Sequence, residues 1–288
     1  MKHALEYAAV RALRGVVRLL PRHARGALGG ALGRLVWAFD ARHRQTARTN
    51  LARAFPNRTP REVDAIVRQV FAHFGRLLVH LLEFSAFTPD EVAARVEFEG
   101  EDYARHAYAQ GRGVLFFTGH FGFWEIHALG HGLQLGPLGV LARPLDNPRL
   151  NAMLEDVRGL TGNAVIYRQG AVRRVLKRLS DGLGVAILID QHMHSPDAIT
   201  VSFFGRPAQT TSTLAAIALR TGSPVVPCFA LPLPGGRFRL VYEPPVEPPA
   251  ADSPDAVREF TQRCTDVLEM YVRRHPELWL WMHRRWRE

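Results

Sequence analysis

Apolar positions near the N-terminus recur at the helical period. At about 100° per residue, Leu5, Val10, Leu13, Val16, Val17 and Leu20 share one sector while Arg11, Arg14 and Arg18 lie opposite, which predicts a basic amphipathic helix over residues 3 to 20. Pro21 interrupts the pattern. A second apolar segment follows, GALGGALGRLVWAF, in which Gly26 with Gly30 and Gly29 with Gly33 repeat at the spacing that lets helices approach closely. Neither segment offers about 18 consecutive uncharged apolar residues, so both are read as lying in a membrane interface rather than crossing it. The competing reading is a helical pair that packs on the globular body. A secretory signal is rejected, because arginines interrupt the apolar run and no small-residue cleavage site follows cleanly.

The next stretch, ARHRQTARTNLARAFPNRTPREVDAIV, reads as a polar connector ending in a helix start. Thr59 is the N-cap, Pro60 takes the first helical position and Glu62 completes a capping box, so residues 60 to 84 are expected to be helical. Thr88, Pro89, Asp90 and Glu91 repeat the signature and predict a short helix. From residue 96 onward, short apolar runs (VLFF, VLAR, NAVIY, VAILID, ITVSFF, SPVVPCFAL, FRLVYE) alternate with amphipathic segments at about 123 to 134, 148 to 161, 170 to 180 and 211 to 221. The alternation predicts an α/β fold with a mixed, largely parallel sheet flanked by helices. EPPVEPPAADSP breaks it as a loop or stiff connector, and Ser253 with Pro254 opens a helix to about residue 274. The chain thus divides into a membrane-associating helical segment (1–40), a helical region (41–95), and an α/β domain with a C-terminal helix and a Trp/Arg-rich tail (96–288).

Within the α/β part, GVLFFTGHFGFWEIHA holds the most specific chemistry. The apolar run ends at Thr118 and Gly119, placing His120 at a strand's end, with Glu125 five residues on. Five residues of ideal helix turn through about 500°, so the two cannot share a helix face. A turn through Gly119 and Gly122, with Glu125 in the first turn of the next helix, can bring carboxylate to imidazole. A carboxylate on one ring nitrogen fixes the tautomer and frees the other to accept a proton from a hydroxyl. The bland reading is a buried histidine satisfied by a structural glutamate, and spacing alone does not separate the two.

Composition narrows the partners. The chain has 288 residues, a formal charge of +10 and 47% apolar residues, so it fits a globular protein with an anionic partner rather than a multi-pass membrane protein. Cys228 and Cys264 stand far apart without a C-x-x-C, so neither a disulfide scaffold nor a zinc ribbon is indicated. His127 and His131 have helical spacing, but Ala128 follows His127 where a zinc protease has glutamate, and no catalytic metal is expected. His192 and His194 alternate in a loop. Ligands of open α/β sheets gather at the carboxyl ends of strands, where His120, Arg143 and Asp190 fall. Arg143 is a first candidate for anionic oxygens. Asp190 and Gln191 end the strand VAILID, where Asp190 can order an arginine, contact a sugar hydroxyl, or simply terminate the strand. Thr210 to Thr213 can be an N-cap cluster. The tail, with Trp279, Trp281, Trp286, Arg284 and Arg285, suits either a membrane interface or a seal over the core.

GHFGFWE, ARPLDNPRLNAML, VAILIDQ, VSFFGRPAQTT with LRTGSPVVP, and ELWLWMHRRW together, in this order and spacing, resemble the lipid A biosynthesis lauroyl/myristoyl acyltransferase family, part of the wider glycerolipid (lysophospholipid) acyltransferase group. The resemblance covers most of the chain. It implies an acyltransferase on the cytoplasmic face of the inner membrane, with acyl carrier protein or coenzyme A as thioester donor and a lipid A precursor or related glycolipid as acceptor. No cofactor beyond the donor is implied. His120 would act as base and Glu125 would orient and stabilise the imidazolium. Phe121, Gly122, Arg143, Asn147, Arg158, Asp190 and Gln191 would line the substrate site, with Arg158 as the functional arginine and Phe204, Gly205 and Arg206 in the acceptor-pocket loop. Phosphatidylinositol mannoside or another glycolipid is the rival acceptor. A non-catalytic lipid-binding protein is the rival class, and nucleic acid is not an expected partner because no recognisable binding signature accompanies the basic charge.

Overall fold

Five helices precede the first strand in the computed structural model, which describes residues 2–167, 169–195, 198–250 and 253–287. Ala251 and Asp252 of the proline-rich stretch and Glu288 of the tail lie outside the described residues. Helices α1 (Lys2–Leu19) and α2 (Arg22–Phe39) are separated at Pro21, as the pattern predicts. Helix α3 (Ala41–Ala54) occupies the stretch read as a connector. Asp40 caps it, accepting from the His43 N–H at 3.0 Å, and its buried face is Ala47, Asn50, Leu51 and Ala54. That stripe is narrow and short of large apolar residues, so the polar majority hides the helical period.

Helix α4 (Pro60–Phe84) starts in the expected capping box, with the Thr59 N–H donating to Glu62 at 2.7 Å. Helix α5 (Pro89–Ala93) repeats the device through Thr88 and Glu91. By length and composition α4 could cross a membrane, yet half of its apolar window is buried in the protein. Its Val67, Val70 and Phe71 share one hydrophobic cluster with Leu51 and with Leu115, Phe117 and Ile187 of the sheet. Gly29 and Gly33 of α2 serve this packing: a Cβ on Gly33 would lie 2.0 Å from the Phe71 carbonyl oxygen, so the two backbones touch there.

The α/β part follows in the order β1 (Val96–Glu99), α6 (Glu101–Ala109), β2 (Val114–Thr118), α7 (Trp124–Gln134), β3 (Leu138–Ala142), α8 (Pro148–Gly159), β4 (Ala164–Tyr167), α9 (Ala171–Ser180), β5 (Gly184–Leu188), β6 (Ala198–Phe203), β7 (Arg206–Thr211), α10 (Thr213–Thr221), β8 (Val225–Leu233), β9 (Arg237–Tyr242) and α11 (Ala256–Arg274). The seven-stranded sheet has the order β1-β9-β8-β2-β5-β3-β4. Strands β4, β3, β5, β2 and β8 run parallel, β9 returns antiparallel to β8, and β1 lies parallel to β9. All five residues of β2 are buried, which explains its continuous apolar run: both faces of a central parallel strand are covered. Strands β6 and β7 form a separate hairpin, so ITVSFF is the strand expected as far as Phe203, Phe204 and Gly205 are its turn, and Arg206–Thr211, expected in a loop, is strand.

Candidate active site

Strand pairing builds the site. Register along β2 and β5 pairs Phe117 with Ile187 and Thr118 with Leu188, so His120 and Asp190 each stand two residues beyond the last pair. They emerge side by side from the carboxyl ends of adjacent parallel strands. The His120 backbone N–H donates to Asp190 Oδ2 at 2.7 Å, and its Nδ1 lies 2.8 Å from Oδ1. Trp279 adds a third donor, Nε1–H to Oδ2 at 2.8 Å. Asp190 is only 3% exposed, and these three donors satisfy a carboxylate that would otherwise be costly to bury.

Charge and tautomer follow from that contact. Burial favours neutral Asp190, but the His120 charge and the hydrogen bonds outweigh it and hold the carboxyl below its ordinary range. Burial likewise opposes the imidazolium of His120, yet the Asp190 charge, its hydrogen bond and the more distant Glu125 carboxylate raise the His120 pKa above its ordinary value. A carboxylate only accepts, so Nδ1 carries the proton and Nε2 keeps its lone pair. The Gln191 amide nitrogen sits 3.3 Å from Nε2, and the Trp124 ring packs edge-on to the imidazole at 5.1 Å.

The carboxylate that holds the ring is therefore Asp190, where the spacing argument pointed to Glu125. Glu125 does sit in the first turn of α7, but its oxygens are taken by Arg158 of α8: Nε to Oε2 at 2.9 Å and Nη2 to Oε1 at 2.5 Å. This bidentate pair is little exposed, 10% and 12% for the two side chains, and Trp124 Nε1–H adds a bond to Oε1 at 3.2 Å. Burial works against the Arg158 charge, and the hydrogen bonds and charge of Glu125 outweigh it, raising the pKa. Glu125 thus acts on His120 through its field, without touching it.

The turn between β2 and α7 is clamped from three sides. Gly122 has φ +58°, and a Cβ there would lie 2.0 Å from the Ala230 carbonyl oxygen, so glycine is required. His73 of α4 reaches the Gly122 carbonyl oxygen with Nε2 at 3.2 Å; burial pushes its pKa down to about 4, so the neutral ring donates here. The tail lies across the same turn like an added strand, with Gly122 N–H to the Leu278 oxygen at 2.9 Å and Leu280 N–H to the His120 oxygen at 3.1 Å. Phe121 is buried opposite Trp279. Trp279, Trp281 and Trp286 are 1%, 0% and 7% exposed, so of the two readings of the tail the seal over the core describes these rings.

His120, Phe121, Gly122, Glu125, Arg158, Asp190 and Gln191 thus converge at one end of the sheet. The remaining expected residues make other contacts. Arg143 is exposed and bound to Asp146. Asn147 caps α8, accepting from the Arg149 N–H at 3.1 Å, and donates to the His3 oxygen at 2.8 Å and to Glu6 at 3.1 Å, which ties α1 to α8. Phe204 and Gly205 turn the β6–β7 hairpin with φ +55° and +68°, ahead of Arg206 at the start of β7. The Phe204 ring packs against Phe55, Trp281 and Arg273. His73 is a positioning residue that sequence reasoning did not single out, and Trp279, noted there only as part of the tail, was not tied to Asp190.

A family described as bacterial lipid A biosynthesis acyltransferase matches residues 2–288. The chain is 28% identical over 263 residues to the lipid A biosynthesis lauroyltransferase of Escherichia coli (strain K12), covering 90% of this chain and 84% of that protein. It is 24% identical over 275 residues to the lipid A biosynthesis myristoyltransferase of the same strain, covering 95% and 84%. It is 22% identical over 244 residues to the phosphatidylinositol mannoside acyltransferase of Mycolicibacterium smegmatis, covering 83% and 78%. With nearly every residue inside the family match, the chain belongs to the bacterial lipid A biosynthesis acyltransferases and is an enzyme that transfers acyl groups.

Proposed function

We propose that the protein moves a fatty acyl chain from an acyl thioester, carried by acyl carrier protein or coenzyme A, to a hydroxyl of a lipid A precursor at the cytoplasmic face of the inner membrane. The observation that supports it most is the His120–Asp190 pair, which leaves Nε2 as the proton acceptor at the mouth of a parallel sheet. His120 Nε2 takes the hydroxyl proton as the acceptor oxygen attacks the thioester carbonyl. The tetrahedral intermediate collapses, the C–S bond breaks, and the imidazolium returns its proton to the leaving sulfur, giving ester and free thiol. No acyl-enzyme is required. Asp190 stabilises the imidazolium by contact and Glu125 does so at longer range, held in place by Arg158.

Membrane attachment fits the surface of the first two helices. Leu5 and Leu19 of α1 and Phe39 of α2 are 69%, 88% and 81% exposed, and Arg11 and Arg18 are exposed on α1. The relative named for phosphatidylinositol mannoside supports a second acceptor class. The deciding experiment offers the purified enzyme each acceptor with each donor and weighs the lipid products by mass spectrometry. Acylation of the lipid A precursor, cut at least ~10²-fold by His120→Ala, is the expected result. Acylation of the mannoside alone, or parental turnover by a folded His120→Ala variant, would overturn the reading.

A further inference from the structure

Beyond the base, the tail and the loop after β5 bring together a group of basic side chains that the mechanism does not use. Trp279 and Leu280 pin the tail to Asp190 and His120, and from that anchor the chain runs back against residues 191–195. The His192 N–H donates to His283 Nε2 at 3.2 Å, the His192 and His194 rings meet edge to face at 4.4 Å, and Arg287 Nη1 contacts His194 Nε2. His194 and Arg287 are exposed, while His192 and His283 are half-buried. The group starts one residue from Gln191, whose amide touches the reacting nitrogen of His120.

Among the described residues the charges of this group are unbalanced. Asp190 is a carboxylate whose field reaches His283 and Arg285, and it is already committed to His120 and Trp279. Burial first, and then His194 and Arg287, lower the His192 pKa; burial pushes His283 down to about 4 against the pull of Asp190. Arg285, 1% exposed, spends its terminal nitrogens on the Gln209 oxygen and the Thr210 hydroxyl, and its buried Nε has no partner among the described residues. Basic groups that suppress one another's charge gain most from an anion that accepts several N–H bonds at once. No three His, Cys, Asp or Glu side chains among the described residues are gathered as a metal ion would need.

We propose that His192, His194, His283 and Arg287 form a subsite for a phosphate ester of the substrate, set beside the reacting nitrogen of His120. This rests on the functional reading above. Arg287 supplies a forked donor, and the imidazoles take up protons on their free ring nitrogens as the phosphate arrives and donate N–H bonds to it, which orients the substrate relative to the base. A phosphate on the acceptor sugar and the phosphodiester of a phosphopantetheine-linked donor share this chemistry.

Two measurements on the full chain in detergent test it. Histidine ring NMR with inorganic phosphate, against chloride at equal ionic strength, should raise the pKa values of His192, His194 and His283. Arg287→Gln should abolish the effect. Phosphate-independent titration of all three would overturn the subsite whichever glycolipid is acylated, and so separates its failure from that of the functional reading. In turnover, the KM preference for a phosphorylated substrate over its phosphate-free analogue should fall about tenfold in Arg287→Gln and be partly restored in Arg287→Lys. A fall confined to the acceptor pair assigns the acceptor phosphate; one confined to acyl-carrier donor against acyl-pantetheine assigns the donor. Equal KM changes with and without the phosphate in both pairs would refute the proposal.

Discussion

The carboxyl end of the sheet and the N-terminal helix pair treat their apolar residues in opposite ways. At the sheet end all five residues of β2 are buried, Trp281 is fully enclosed, and Asp190 is satisfied by three donors. Helix α1 buries Val17 alone among its described residues, and Leu19 stands 88% exposed. The first region buries its apolar residues within the chain and surrounds Asp190 with donors, so the placement of a proton acceptor is fixed by packing. The second leaves apolar surface without a partner in the chain. It is held by a few polar ties, Asn147 to α1 and Arg25 to Glu83 of α4 at 2.6 Å, and by the glycine contact of α2. Chemistry is thus built where side chains are buried and hydrogen-bonded, and the surface suited to lipid sits where little is buried.

Changing the inner region should have the largest effect. Asp190→Asn leaves the shape but removes the charge behind the imidazole, and turnover should drop on the order of 10⁴-fold, as for other carboxylates that back a catalytic histidine. The pH profile carries the sign. The active form has Nε2 unprotonated, so kcat/KM rises with pH through the His120 pKa, which Asp190 holds above its ordinary value. Losing that charge moves the limb to lower pH. Glu125→Gln should move it the same way by less, because Glu125 acts without contact. Equal displacements, or a displacement to higher pH, would break the distinction between the two carboxylates.

Arg158 probes the same region through stability. Arg158→Ala strands the Glu125 carboxylate in a site where neither side chain is more than 12% exposed, and the variant should lose about 3–5 kcal/mol in denaturant unfolding. Removing both partners with Arg158→Ala and Glu125→Ala should cost less than the single change. A single variant as stable as the parent would place the pair in solvent. Activity at saturating donor should also fall, since Glu125 is then free to leave its position beside the base.

Much of this architecture was legible along the chain, and the gaps share a cause. Capping boxes at Thr59 and Thr88 announced α4 and α5, and continuous apolar runs announced the central strands, because these signals are local. His120 and Glu125 declared themselves by motif. The His120–Asp190 contact depends on which strand pairs with β2, a fact that no spacing within either segment encodes. Asp190 accordingly stood open among three roles. Helix α3 was hidden by its short apolar stripe, and β7 by a polar sequence with Pro207 at its second position, whose strand conformation comes from pairing with β6. Asn147, named only through the resemblance, caps α8 and ties it to α1, contacts that its sequence neighbours do not announce. In each case tertiary partners decided what the residue does.

The smallest expected effect belongs to the outer region, and it tests whether α1 lies on a membrane. Arg22 and Arg25, which follow Pro21, are engaged by Glu91 and Glu83, so the free charge rests mainly on Arg11, Arg14 and Arg18. Each basic residue near an anionic surface contributes about 1 kcal/mol, while Leu5, Val16 and Leu19 supply a salt-insensitive remainder once buried in lipid. Binding to anionic vesicles should therefore weaken with salt without vanishing. Removing residues 2–20 should shift the protein to the soluble fraction and slow turnover several-fold on vesicles while leaving most of it on detergent-dispersed acceptor. Parental turnover and binding on vesicles without α1 would dismiss the attachment. A protease-sensitive tag placed before Lys2 then separates lying from spanning: digestion from the cytoplasmic side fits the interfacial helix, whereas protection until the opposite face is opened would mean that α1 crosses the bilayer, and the apolar sector opposite Arg11, Arg14 and Arg18 could no longer be read as an interfacial face.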